Sequence, residues 1–511
     1  MSQLVLDKPV WEGVDIDQLP RDKLKRIITS HMFLKEKYTA SGLFDKVKSR
    51  LVAGGHLQDR AIYSNGSSPT VSTQAVLMVA AIAAKEKRAV ATADVQGAFL
   101  FSELPEDGEP ILMRLDKYLT SVLIKLDPSY EKFVQSNGTC VVKLKRALYG
   151  CVESARQWYD TFSTQLGKMG FIKNKQDICV FNRLESDGTQ TTIVVHVDDM
   201  MITASTEVVI DKLTAELNEV YPGLSTQRGR KLEYVGMVFD FTEQYKCRIT
   251  MDGYIIDLLD EYDNITGVAE TPATNNLFEI KESRLLEDSA REYYHSLTAK
   301  LLYLGKRVRP DILTACSFLS KRVQNPTEED MKKLERVIRY LRHTRHLGII
   351  LEADKHLTVI AYVDASYGVH QNMKSHTGCT IGIGRGPIYA KSSGQKLNTK
   401  SSTEAELVGL SDSTGQILWT RNFLIEQGYN VEAAIVYQDN MSTIALVKNG
   451  KSNSERTRHI AIRFFFVADR VASKEIKVEY MQTGEMLADI LTKPLQGDLF
   501  RKLRDRLLNW Q

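Results

Sequence analysis

With 511 residues, 43% of them hydrophobic and 26% charged, the chain has the composition of ordinary globular protein, which excludes a fibrous or disordered polymer. Its 67 basic and 64 acidic residues leave a net charge of +3, so overall charge announces no polyanionic partner, although local patches still can. The six cysteines are scattered without a C-x-x-C pair, which argues for reduced, partly buried thiols in an intracellular protein rather than zinc ligands or a disulfide framework. Neither a basic-then-apolar leader nor a run of 18 apolar residues occurs, so secretion and membrane spanning are not expected.

The first 50 residues are charged and mixed and end in the basic stretch KVKSR, 46–50. AVLMVAAIAAKEKRA predicts an apolar helix over 75–89, and the short strand after it, in ATADVQGAFL, closes on Asp94. Residues 194–201 read VVHVDDMM, an apolar run broken by Asp198 and Asp199. An ionised carboxylate buried without a partner costs several kcal/mol, so a strand interior excludes the pair and a hairpin tip is its expected place. A solvated turn is the bland reading. Against it, tight turns favour Asn-Gly or Asp-Gly, and here Met200 and Met201 follow. Turn and metal site both stay open on this window.

Between 267 and 290 the chain is polar, poorly periodic and broken by Pro272, Asn275 and Asn276, the best candidate for a linker. PTEEDMKKLERVIRYLRH then predicts a helix from 326, with Thr327 and Asp330 as its cap and Met331, Leu334, Val337, Ile338 and Leu341 as its apolar stripe. The opposite face carries Lys332, Lys333, Arg336, Arg339 and Arg342, commonly a solvated surface and less often a phosphate track. After 356 the pattern is three strands, a helix at 402–427, a strand, a short helix and a strand, a compact mixed α/β unit read as a separate domain.

Carboxylates carry the chemistry. Asp94, Asp198 and Asp199, from separate strands, could hold two Mg²⁺ ions about 4 Å apart for phosphoryl transfer, since Mg²⁺ takes hard oxygen ligands and keeps substrate phosphates in its shell. In the last unit Asp364 and Asp439 end strands, Glu406 is expected in the first turn of the helix at 402, and Asp489 lies in ADILTKPL. Each has an ordinary reading as a cap or a helix-dipole partner.

DVQGAFL, ALYGCVESARQWY and VHVDDMM, in that order, resemble the motifs of a reverse transcriptase of the Ty1/copia class of LTR retrotransposons. KSRLVAGGHLQDR resembles that family's fingers motif, LEYVGMVFDF its primer grip, LTAKLLYLGKRVRPDI and LERVIRYLRHT its connecting segment. YVDASY, SSTEAEL, YQDN and ADILTKPL resemble its ribonuclease H domain. The resemblance implies an α+β fold: a right-hand polymerase with fingers and palm over 1–245 and thumb/connection over 246–355, then a ribonuclease H-like mixed α/β domain over 356–511.

It further implies that Asp94, Asp198 and Asp199 are the polymerase metal ligands and that Asp364, Glu406, Asp439 and Asp489 form the ribonuclease H centre, each site with two Mg²⁺ and Mn²⁺ as a substitute. Phe99 would lie under the incoming sugar and exclude a 2′-hydroxyl, and Arg50 would hold the triphosphate. Lys48, Lys35 and Lys37 are weaker candidates for that work. Gly150 would let the backbone approach the templating pair. The implied partners are RNA template, DNA primer, RNA/DNA hybrid, dNTPs and other retroelement Pol and Gag products, in a cytoplasmic particle or the nucleus and without a membrane.

The sequence departs from the family at His196, usually tyrosine, at Glu153 and Ala155, usually glutamine and proline, and at Ala461, the usual aspartate after His459, which is left an accessory role. The family's polymerase region normally begins upstream of what Met1 opens here, and protease, integrase and Gag segments are not present, so a processed product, a fragment or a remnant of a longer polyprotein is expected. A catalytically impaired or domesticated copy that binds nucleic acid, or keeps only ribonuclease H activity, is the alternative.

Overall fold

A computed structural model describes residues 9–38, 44–62, 66–105, 108–449 and 461–510. Their strands form four sheets. The first is built by Trp11–Gly13, Cys140–Leu144, Leu112–Leu115, Ile28–Tyr38 and Phe44–Ala53, in that spatial order, over its own small core. Its long hairpin leaves Phe33, Leu34 and Phe44 exposed.

The second sheet runs Leu224–Arg228, Ala89–Val95, Asp199–Ala204, Gln190–His196, Val180–Leu184, Ile172–Lys173, with every neighbour antiparallel. Helix Thr73–Lys85 is buried from Gln74 to Ala84, which is why its sequence is apolar all round instead of striped. It ends four residues before the predicted boundary at 89: Lys87 turns the chain with φ 55°, and Ala89 already belongs to the strand. KEKRA has good helix formers, but pairing in the sheet outweighs propensity.

The third sheet draws on distant parts of the chain: Lys231–Tyr234, Met237–Asp240, Cys247–Thr250, Ile349–Ala353 and Gly384–Arg385. Helix Glu328–His343 starts on the expected capping box of Thr327 and Asp330. On its basic face Lys332 stays exposed, while the other four cations turn to the chain itself. Lys333 donates to the carbonyls of Leu277 and Glu279, Arg336 to that of Thr271, Arg339 to that of Thr266 and Arg342 to that of Ile265. These cations satisfy backbone acceptors of an irregular segment that has no strand partner to do so.

The fourth sheet has the order Tyr389–Gly394, His376–Gly382, Ile360–Ser366, Ala434–Gln438, Ile476–Tyr480. The first three strands are antiparallel and the last two run parallel to Ile360–Ser366, which makes this a mixed sheet. Helix Ser402–Glu426 packs its first half on this sheet. Its second half meets the second sheet's side of the molecule, where Trp419 Nε1 donates to Gln176 O (3.1 Å) and Asn174 Nδ2 to Phe423 O (3.1 Å). One continuous core therefore runs from the second sheet through the third to the fourth. Among the described residues no helix is long and apolar enough to cross a membrane.

Candidate active sites

Asp199 lies directly opposite Asp94 in the second sheet, so strand alternation puts both carboxylates on one face, with His196 opposite Asp199 on the other side. The hairpin between them turns on Val197 and Asp198; Asp199 is the first residue of the next strand. Val197 has φ 61°, a region β-branched residues rarely adopt. The turn is held there from both sides: Trp158 Nε1 donates to Val197 O (2.7 Å), and the Val95 amide to Asp198 O (3.3 Å). A second hairpin, turning on Val235 (φ 50°) and Gly236 (φ 71°), stands over the same face. Asp94, Asp199, Ser225, Glu233 and Gly236 line the cavity of about 290 Å³ between the two.

Asp198 points into a different set of groups. Its Oδ2 accepts a hydrogen bond from the Tyr149 hydroxyl (3.3 Å). The Phe99 ring, 7% exposed, lies 4.5 Å from the Tyr149 ring, and the Arg50 guanidinium 5.9 Å from it. Burial and then the Asp198 charge push the Tyr149 phenol up to about 12, which keeps it a donor. Three residues singled out from sequence thus converge on Tyr149, which was not singled out; its signal was its place in ALYGC. Gly150 has φ 94°, and a Cβ there would lie 2.1 Å from Ala53 O. What its backbone approaches is the end of strand Phe44–Ala53, where the Ala53 amide donates to Tyr149 O (2.7 Å). Glu153 is half-buried against Gln58, and burial raises its carboxyl.

In the fourth sheet the parallel pairing of Ile360–Tyr362 with Ile435–Tyr437 carries Asp364 and Asp439 to the same edge, and helix Ser402–Glu426 crosses with Glu406 facing them. Glu406 is in the second turn, not the expected first; the first-turn acid is Glu404, whose carboxylate accepts from the Lys400 amide (2.7 Å). Carboxylate oxygens of Asp364, Glu406 and Asp439 all lie within 4.8 Å of one another. Gln438 Nε2 donates to Glu406 (3.1 Å), Thr483 to Asp439 (3.0 Å) and Thr492 to Asp364. Asp489 is 4% exposed and held by Lys493 Nζ at 2.8 Å, which also lies 3.7 Å from Asp364.

Burial and then neighbouring carboxylates raise Glu406 to about 9 and Asp489 to about 6. Burial raises Asp364 as well. Three gathered hard oxygen donors fit a divalent cation. Among the described residues Asp94, Asp198 and Asp199 are not gathered in this way. Thr492 and Lys493 were not singled out from sequence, although ADILTKPL contains them. His459 lies outside the described residues, as do the side chains of Lys37 and Lys48.

An antiparallel sheet with paired aspartates at its strand ends is thus joined through one core to a mixed sheet with gathered acids at its edge. The sequence model of the family "Reverse transcriptase (RNA-dependent DNA polymerase)" matches residues 10–273, and the chain belongs to that family. Among curated relatives it is 28% identical over 486 residues to the retrovirus-related Pol polyprotein from transposon RE1 of Arabidopsis thaliana, covering 94% of this chain and 32% of that protein. With the corresponding polyprotein from transposon TNT 1-94 of Nicotiana tabacum it shares 27% over 497 residues, 96% of this chain and 36% of that protein. With the transposon TyH3 Gag-Pol polyprotein of Saccharomyces cerevisiae it shares 24% over 508 residues, 95% and 27%.

Likeness to Ty1/copia-type Pol polyproteins thus runs through most of the chain, while the chain spans about a third of these relatives' length. Of solved structures, a prototype foamy virus protease-reverse transcriptase matches over 89% of this chain and 51% of that one, at 14% identity and TM-score 0.23. A ribonuclease H1 isolated from compost, LC11, matches over 26% of this chain and 91% of that one, at 14% identity and TM-score 0.21. Both scores are too low for further comparison.

Proposed function

We propose that the chain copies RNA and DNA templates into DNA from a primer and cleaves the RNA of the resulting hybrid, at two separate centres. Residues 1–245 form fingers and palm, 246–355 thumb and connection, and 356–511 the ribonuclease H-like domain. Asp94, Asp198 and Asp199 serve synthesis, with Phe99 and Arg50 at the nucleotide, Gly150 by the templating pair and His196 near the primer terminus. Asp364, Glu406, Asp439 and Asp489 serve cleavage. Mg²⁺, two ions per centre, is the cofactor, with Mn²⁺ as a substitute; it would supply charge to a developing oxyanion and an activated hydroxyl or water. RNA template, primer, hybrid and dNTPs are the substrates, and other Pol and Gag products the intracellular partners.

The observation that carries this reading is the gathering of Asp364, Glu406 and Asp439 within 4.8 Å in a chain whose reverse transcriptase region sets Asp199 opposite Asp94. Buried acids at such spacing repel one another, and folding gains nothing from assembling them. The residues themselves do the positioning: Gln438, Thr483 and Thr492 fix one oxygen each on Glu406, Asp439 and Asp364. At the other centre the carboxylates are of the right chemistry, and Asp198 is engaged by Tyr149.

Primer extension on an RNA template with dNTPs and Mg²⁺, beside an Asp198→Asn control, tests the reading. Extension that the substitution abolishes, with hybrid cleavage retained, supports it. No extension with hybrid still cleaved would confine the activity to the C-terminal centre.

A further inference from the structure

Four carboxylates converge at the C-terminal centre, and the cation seated among them is the Lys493 ammonium, 2.8 Å from Asp489 Oδ1 and 3.7 Å from Asp364 Oδ2. Its root is fixed: the Lys493 amide donates to Asp489 O at 2.8 Å, directly after the short helix Leu487–Leu491. Its tip is not. The side chain keeps 36% exposure and lines a groove of about 630 Å³ together with Ser366, Phe278 and Thr492, so the ammonium has room to leave. Lysine suits such a place, because a point charge on a flexible stem can be displaced, where the planar fork of arginine would grip two oxygens at once.

We propose that Lys493 is the resident counter-ion of this centre: it neutralises Asp364 and Asp489 until a divalent cation enters, and the cation must displace it to bind. The inference rests on the reading of these acids as metal ligands. It makes Lys493 a positioning residue that sets the cation concentration at which the centre assembles. A merely structural ion pair makes the opposite prediction. Losing such a pair loosens the site, so the cation would bind equally well or less well. Losing a competitor makes it bind more tightly.

The test is thermal unfolding of the full chain against Mg²⁺ concentration, for wild type, Lys493→Met and Lys493→Arg, each with and without Glu406→Gln. The part of the stabilisation that Glu406→Gln removes belongs to this centre. We expect Lys493→Met to unfold at lower temperature than wild type without Mg²⁺, and its Glu406-dependent stabilisation to half-saturate at about five-fold lower Mg²⁺, the scale of one partly exposed ion pair. Lys493→Arg keeps the charge and should half-saturate at or above the wild-type concentration.

A midpoint unchanged or raised in Lys493→Met overturns the proposal. If Lys493→Met does not fold, Lys493→Arg decides: a midpoint below wild type overturns the proposal, and one at or above it sustains it. Glu406-dependent stabilisation absent from every variant would instead sink the metal-ligand reading on which the proposal rests, and hybrid cleavage, assayed separately, reports on activity.

Discussion

The two acidic edges start from similar sequence, VHVDDMM in one and YVDASY in the other, and end in different electrostatics. At the first, Asp199 is exposed and Asp94 and Asp198 half-buried, the backbone turn is strained at Val197, and Asp198 is met by a neutral phenol. At the second, Asp364, Glu406 and Asp489 are 2–5% exposed, gathered, and balanced by an ammonium. Water can reach and solvate charge at an open edge. Acids taken out of water must hold protons or a cation before any ligand arrives.

The largest effect expected is the separation of the two edges by single substitutions. Asp364→Asn should lower hybrid cleavage by ~10³-fold or more while DNA synthesis stays near wild type, because on the proposed reading Asp364 is a ligand of a two-ion site, where one ligand supplies several kcal/mol. Parallel loss of both activities in a folded variant would show that the edges do not act independently. Next, Phe99→Val should raise ribonucleotide incorporation by roughly 10²-fold, read by competition between dNTP and rNTP on one template. Unchanged sugar discrimination would move the gate elsewhere, Tyr149 being the adjoining ring.

Buried acids also give the second edge a pH signature. Glu406 is raised from 4.5 to about 9 and Asp489 from 3.8 to about 6, so each binds its proton more tightly folded than unfolded. Folding therefore takes up protons, and the metal-free protein should lose thermal stability as pH rises from about 4.5 towards 9. Glu406→Gln should flatten that slope, and so should Mg²⁺, which replaces the protons. A metal-free unfolding temperature that rises across this range would contradict the burial of these acids.

The smallest effect belongs to Tyr149→Phe. Loss of one hydroxyl contact to Asp198, worth ~0.5–1 kcal/mol, should lower the Mg²⁺ concentration for half-maximal extension by about two- to five-fold and leave hybrid cleavage unaltered. A higher Mg²⁺ requirement would mean that the phenol orients Asp198 and does not compete for it.

Particular elements show what could be read from sequence. The capping box at Thr327 and Asp330 and the strand, helix, strand order around Asp364, Glu406 and Asp439 were legible because they are local: propensity, periodicity and turn chemistry act over a few residues. The internal partners of Arg336, Arg339 and Arg342 on helix Glu328–His343 were not legible, because the carbonyls of Thr271, Thr266 and Ile265 lie some 65–77 residues away along the chain. Tyr149 and Lys493 escaped for the same reason, although both stood inside motifs already quoted.

By itself, then, the sequence determined which residues could carry charge to a strand end and in what order the elements follow. Only the tertiary structure decided which acids lose their water and so must be answered from within the protein. Burial is set by the packing of segments remote in sequence: Asp364 is enclosed because Thr492 and Lys493 return to it from the far end of the domain, whereas Asp199 stays at an open edge.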